Sequence, residues 1–107
     1  MTSEELAKKI VSILESKKGS DIEIINVEEK TTLADYFVIA TGNSTTQIKA
    51  LADEVEYLLK NEDQIMADHV EGRSGDKWIL IDFKDVVVHV MHPEVRAQYD
   101  LESLWEK

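Results

Sequence analysis

Apolar residues recur at helical spacing from the start of the chain: Leu6, Ile10, Ile13 and Leu14 share one side, and Ala7 and Val11 widen the stripe. The spacing predicts a helix over 3–18. Thr2 with Glu5 has capping-box spacing, Glu4 with Lys8 and Glu5 with Lys9 are favourable pairs four apart, and Lys17-Lys18-Gly19 sets cations and a left-handed glycine cap at the far end. Ile22-Glu23-Ile24-Ile25-Asn26-Val27 reads as a first strand, and polar residues 28–32 make a connector too long for a tight hairpin turn. Tyr36-Phe37-Val38-Ile39-Ala40-Thr41 lacks polar alternation, which predicts a strand covered on both faces at the sheet centre. Gly42-Asn43-Ser44 turns the chain, and Ser44 with Gln47 has capping-box spacing before a second helix that runs to about residue 60. A short strand near His69-Val70-Glu71 is separated by a glycine-containing turn from Trp78-Ile79-Leu80-Ile81-Asp82. Phe83-Lys84 then leads into Asp85-Val86-Val87-Val88-His89-Val90-Met91, with Lys84 where a hairpin turn often takes glycine for its positive φ. Beyond Pro93, the intervals among Tyr99, Leu101, Leu104 and Trp105 predict one short amphipathic tail helix.

These elements predict an α/β (α+β) class with a mixed sheet of about five strands flanked by helices. The first two helices cover one or both faces and the tail lies at an edge. Strand two, helix two and the next strand are placed to form a right-handed crossover between parallel strands. The 107 residues fit one domain, 1–107. There is no Cys, so the fold is held by packing and thiolate chemistry is excluded. No apolar run reaches the roughly 18 residues of a membrane span, and the acidic start does not resemble a signal peptide, so the expectation is a cytoplasmic protein without membrane contact. Charge changes the picture further. With 22 acidic against 12 basic residues, a net charge of −10 repels phosphate backbones and suits a basic protein partner, leaving little direct nucleic-acid contact.

Enzyme chemistry finds little support in the motifs. Gly72-Arg73-Ser74-Gly75 is one residue short of a nucleophile elbow, and Gly42-Asn43-Ser44 has no second glycine or Lys-Thr pair to complete a phosphate loop. His89 and His92 are three apart in an extended segment, so they point to opposite faces and chelate poorly together; a hydrogen-bonded, half-buried histidine explains His89. Asp21 and Glu23 open a strand instead of following the glycine-serine turn, and Asp82 with Asp85 flanks a hairpin, so the carboxylates of two-metal phosphoryl transfer are not arranged. No cofactor or metal is expected. A surface role remains: Trp78, Tyr99 and Trp105, with Arg73 and Arg96 close by in sequence, are the residue types of binding hot spots, unless each packs inward.

The whole chain resembles the bacterial ribosomal silencing factor (Iojap-like) family. The matching stretches are 35–44, Ala52-Asp53-Glu54-Val55, Glu71-Gly72, Trp78, 82–91 and 99–105, with Lys84 departing from the family's usual glycine. The resemblance implies a nucleotidyltransferase-like fold without its catalytic residues. It also implies binding to the large ribosomal subunit through its fourteenth universal L protein. Such binding sterically blocks joining of the small subunit and represses translation when nutrients are scarce, with a further role in large-subunit assembly. Docking through that basic ribosomal protein is expected at Glu71, Trp78, Asp82, Asp85, Met91, Arg96 and Tyr99, Trp78 and Met91 giving apolar contact and the carboxylates facing Lys or Arg. A docking patch left free is expected to self-pair in a homodimer. The competing reading is a metal-dependent nucleotidyltransferase-like enzyme.

Overall fold

The computed structural model describes every residue except Ser74, Asp76 and Lys107, with Glu106 described by its backbone alone. Its elements run α1 (Ser3–Ser16), β1 (Ser20–Asn26), β2 (Tyr36–Thr41), α2 (Thr45–Asp63), β3 (His69–Glu71), β4 (Trp78–Asp82), β5 (Val86–Met91), α3 (Pro93–Tyr99) and α4 (Leu101–Glu106). The class is mixed α+β with one five-stranded sheet in the order β1-β2-β5-β4-β3. β2 and β5 are parallel, and the other three pairings are antiparallel.

α1 begins as its capping box dictates: Thr2 Oγ1 accepts from Glu5 N–H at 3.1 Å while Glu5 Oε1 accepts from Thr2 N–H at 2.8 Å. It ends two residues early. The left-handed position is Lys18, at φ 64°, and not Gly19, whose N–H reaches back to the Leu14 carbonyl at 2.8 Å. α2 starts on Ser44, which accepts from Gln47 N–H; the returning Gln47 side chain takes Asn43 N–H, one residue before the box would place it. It runs three residues beyond 60 to Asp63, where Lys9 of α1 pairs with Glu62 at 2.8 Å and with Asp63 across the helix–helix contact.

Both long helices lie on one side of the sheet. Their stripes, Leu6, Ile10 and Leu14 with Ile48, Leu51, Val55 and Leu59, meet Val38, Ala40, Ile79, Ile81, Val88 and Val90 in a closed core. The opposite side carries a smaller cluster of Ile25, Val27, Ile39, Val87 and Met91, onto which Val95, Leu101 and Trp105 of the tail pack. The expected single tail helix is therefore two, broken at Asp100 with φ 48°, and it covers part of a face instead of an edge. The crossover is also longer than expected. β2 pairs not with the next strand but with β5, because β3 is a short edge strand with an exposed–intermediate–exposed pattern while all six β5 residues are buried. β5, not β2, is the sheet centre.

Candidate partner-binding face

The second side of the sheet is assembled by the period-two alternation of four strands. β2 contributes Phe37 and Ile39, β5 Val87, His89 and Met91, β4 Trp78, Leu80 and Asp82, and β3 His69 and Glu71. Cross-strand register then places Ile39, His89, Leu80 and Glu71 in one row and Phe37, Val87, Asp82 and His69 in the next. The tail helices cover the β1–β2 side of this face and reach Trp78 at the start of β4. Trp105 meets Phe37 with centroids 5.1 Å apart, and Tyr99 lies over Trp78 at 4.9 Å. The stretch from Phe37 across β5 to Leu80 and the β3 edge stays open. There Phe37, Leu80 and Val87 floor a shallow groove of about 240 Å³, with Leu33, 80% exposed, at one lip and Glu71 and Asp82 at the other.

The turn between β3 and β4 depends on Gly72. Its φ is 92°, and a Cβ there would stand 1.9 Å from the Trp78 carbonyl oxygen, so any larger residue would push Trp78 out of register. Arg73 pins the same turn to α2 through Asp53 at 2.5 Å and through Glu56. Asp82 Oδ1 accepts from Lys84 N–H at 2.7 Å, closing the β4–β5 turn in which Lys84 adopts φ 73°. The positive φ anticipated for that position is thus carried by a lysine.

Two histidines mark opposite electrostatic regimes on the face. His69 lies within 3.3 Å of Glu71, 3.5 Å of Asp82 and 3.7 Å of Asp68, and the Glu71 carboxylate, aided by Asp82 and Asp68, raises its pKa above the ordinary value. Asp68, His69 and Asp82 hold their donor atoms within 4.8 Å of one another, and this cluster of two half-exposed side chains and the more buried Asp82 is accounted for by their mutual pairing. His89 is 5% exposed, and burial lowers its pKa to about 4. Its Nδ1 accepts from Trp78 Nε1–H at 3.1 Å, which burial and pairing require of a neutral ring.

Of the residues expected to contact a partner, Glu71, Trp78 and Asp82 share this face and Tyr99 packs against Trp78 with its ring tilted 54°. Asp85 is exposed at the end of the β4–β5 turn, its carbonyl accepting from Asp35 and Tyr36 N–H. Two expectations need correction. Met91 is fully buried, because the centre strand and the tail close over it, so it supports Trp78, its register partner, and offers no surface. The Arg96 side chain, 11% exposed, is consumed internally: it donates to the Asp21 carbonyl at 2.5 Å, Thr41 Oγ1 at 2.8 Å and Glu102 at 3.2 Å, tying the tail to β1 and β2. Phe37, Leu80, His69 and His89 were not singled out as contacts. Alternation within each strand groups them, but only the β2–β5 pairing brings the groups together.

An apolar sheet face half covered by aromatics and rimmed by carboxylates has the surface chemistry of a protein-binding module. The family model described as "Ribosomal silencing factor during starvation" matches residues 1–107. A Chromobacterium violaceum protein named ribosomal silencing factor is 42% identical over 105 residues, 98% of this chain and 85% of that protein. A mouse protein named "Mitochondrial assembly of ribosomal large subunit protein 1" is 37% identical over 101 residues, 90% of this chain and 43% of its own length. A crystal structure of a protein from Chromobacterium violaceum matches with a TM-score of 0.95 at 42% identity, covering 99% of this chain and 88% of that one. The chain belongs to the ribosomal silencing factor family, regulators named for an action on the ribosome and not for a reaction.

Proposed function

We propose that this protein binds the large ribosomal subunit through the fourteenth universal L protein and sterically blocks joining of the small subunit, repressing translation under scarcity. The observation that carries this reading is the open half of the second sheet face, where Trp78, Leu80 and Phe37 lie beside Glu71 and Asp82. The apolar floor suits a protein surface, and the carboxylate rim on a chain of net charge −10 suits a basic one while disfavouring rRNA. Family membership and the name of the mouse relative both support the large subunit as the target. Glu71, Trp78, Asp82, Asp85 and Tyr99 form the contact surface, with Met91 and Arg96 holding it from behind. The protein acts in the cytoplasm as a single domain, and when free it pairs through this same face.

Sucrose-gradient analysis of purified subunits tests the reading. Added protein should reduce joined ribosomes at constant Mg²⁺ and cosediment with the large subunit. Unchanged joining, or sedimentation with the small subunit, overturns it.

A further inference from the structure

The groove on the open half of the sheet holds a polar group that the fold itself leaves unpaired. Trp78 Nε1–H can only donate, so its 3.1 Å bond fixes His89 Nδ1 as an acceptor and places the ring's proton on Nε2. Nε2 is buried and meets no hydrogen-bond partner among the described residues. Phe37, tilted 66° to the imidazole at 5.1 Å, offers only an aromatic face or edge, a weak substitute for an acceptor. A buried donor left unpaired is costly, and a native fold that retains one beneath an open groove calls for a reason.

We propose that His89 is a specificity-determining residue of the docking face, its Nε2–H donating to a carbonyl oxygen of a basic loop of the protein partner, with Trp78 as the positioning residue that sets the tautomer. This rests on the docking reading above and names what the groove takes. The occupant is fixed by two complementary features. The donor in the floor, next to Phe37 and Leu80, matches a neutral carbonyl. The rim, where Glu71 and Asp82 stand beside His69, matches Lys or Arg side chains flanking that carbonyl. Phe37 is only partly buried and lines the groove beside His89, so it is the side chain that must yield for an acceptor to reach Nε2. A bare phosphate surface supplies acceptors without cations and is rejected by the rim.

The test uses the full chain and purified large ribosomal subunits. His89→Leu removes the unpaired Nε2 donor together with the acceptor of Trp78 Nε1–H, so it should keep a cooperative melt yet bind the subunit about tenfold more weakly. His89→Gln, whose carboxamide places a donor near the Nε2 position, should recover most of the affinity. In the wild-type chain with the isolated basic ribosomal protein, the His89 Nε2–H resonance should move downfield on binding. A His89→Leu chain that binds as tightly as wild type, or a Nε2–H resonance unmoved in the complex, overturns the proposal while the docking reading stands. If wild type itself fails to bind large subunits, the docking reading falls instead. Should His89→Leu not fold, the resonance shift and the His89→Gln affinity decide the matter.

Discussion

At the scale of single residues, the neutral His89 makes a pH prediction whose sign is set by burial. Its folded pKa of about 4 lies below the ordinary 6.5, so the unfolded chain binds the proton more readily. The corresponding stability is present above pH 6.5 and lost as pH falls toward 4, by about 3 kcal/mol in all. Urea unfolding at pH 7 and pH 4 should show that loss in the wild type, and His89→Leu should lack this share of it. His69 behaves oppositely, since its carboxylate neighbours raise its pKa: its contribution is full below 6.5 and fades as pH rises through the folded value. Trp78 links the two regions, bonded to His89 and packed against the tilted Tyr99 ring while still partly exposed. Trp78→Ala should retain a cooperative melt and lower large-subunit affinity by at least about tenfold in a pelleting assay, the size of a buried aromatic hot spot.

At the scale of elements, the tail and the β4–β5 turn carry the clearest expectations. α3 and α4 are short helices that would not persist alone, and Arg96 fastens them by bonding β1 and β2 backbone and side-chain oxygens together with Glu102. Arg96→Ala should cost about 2–4 kcal/mol in urea unfolding, because it strands the half-buried Glu102 carboxylate, and should open the tail to limited proteolysis. The turn is strained by its lysine. At φ 73° a residue with a Cβ is disfavoured, so Lys84→Gly should raise stability by about 1 kcal/mol, seen as a higher urea midpoint with an unchanged slope. The tail also shows why periodicity misled: Leu101, Leu104 and Trp105 continue the helical spacing from Tyr99, and only the left-handed Asp100 breaks the helix. Its N–H reaches the Arg96 carbonyl at 2.8 Å, closing α3 at a position whose sequence carries no glycine to announce the stop.

At the scale of the whole molecule, ten net negative charges over 6051 Å² of surface set the terms of encounter. Association with a basic protein should slow markedly as KCl rises from 50 to 500 mM, with the dissociation rate changing less, since screening acts on steering more than on the docked contact. Equal salt dependence of both rates would show that the charges act mainly after docking. Much of this protein was legible from its residue pattern alone. The stripe of Leu6, Ile10 and Leu14, the Thr2–Glu5 cap, the unbroken apolar run of β2 and the positive φ at Lys84 are local matters, governed by side-chain spacing and backbone sterics within a few residues. What they could not decide is which strands become neighbours, because β2 and β5 are joined across forty-odd residues and strand alternation records a face without recording whose face lies beside it. Tertiary structure alone put Phe37 next to Val87, sank Met91, turned Arg96 inward and left a donor unpaired on His89. Those outcomes depend on packing between distant segments, where burial and pairing are settled by what the rest of the chain leaves uncovered.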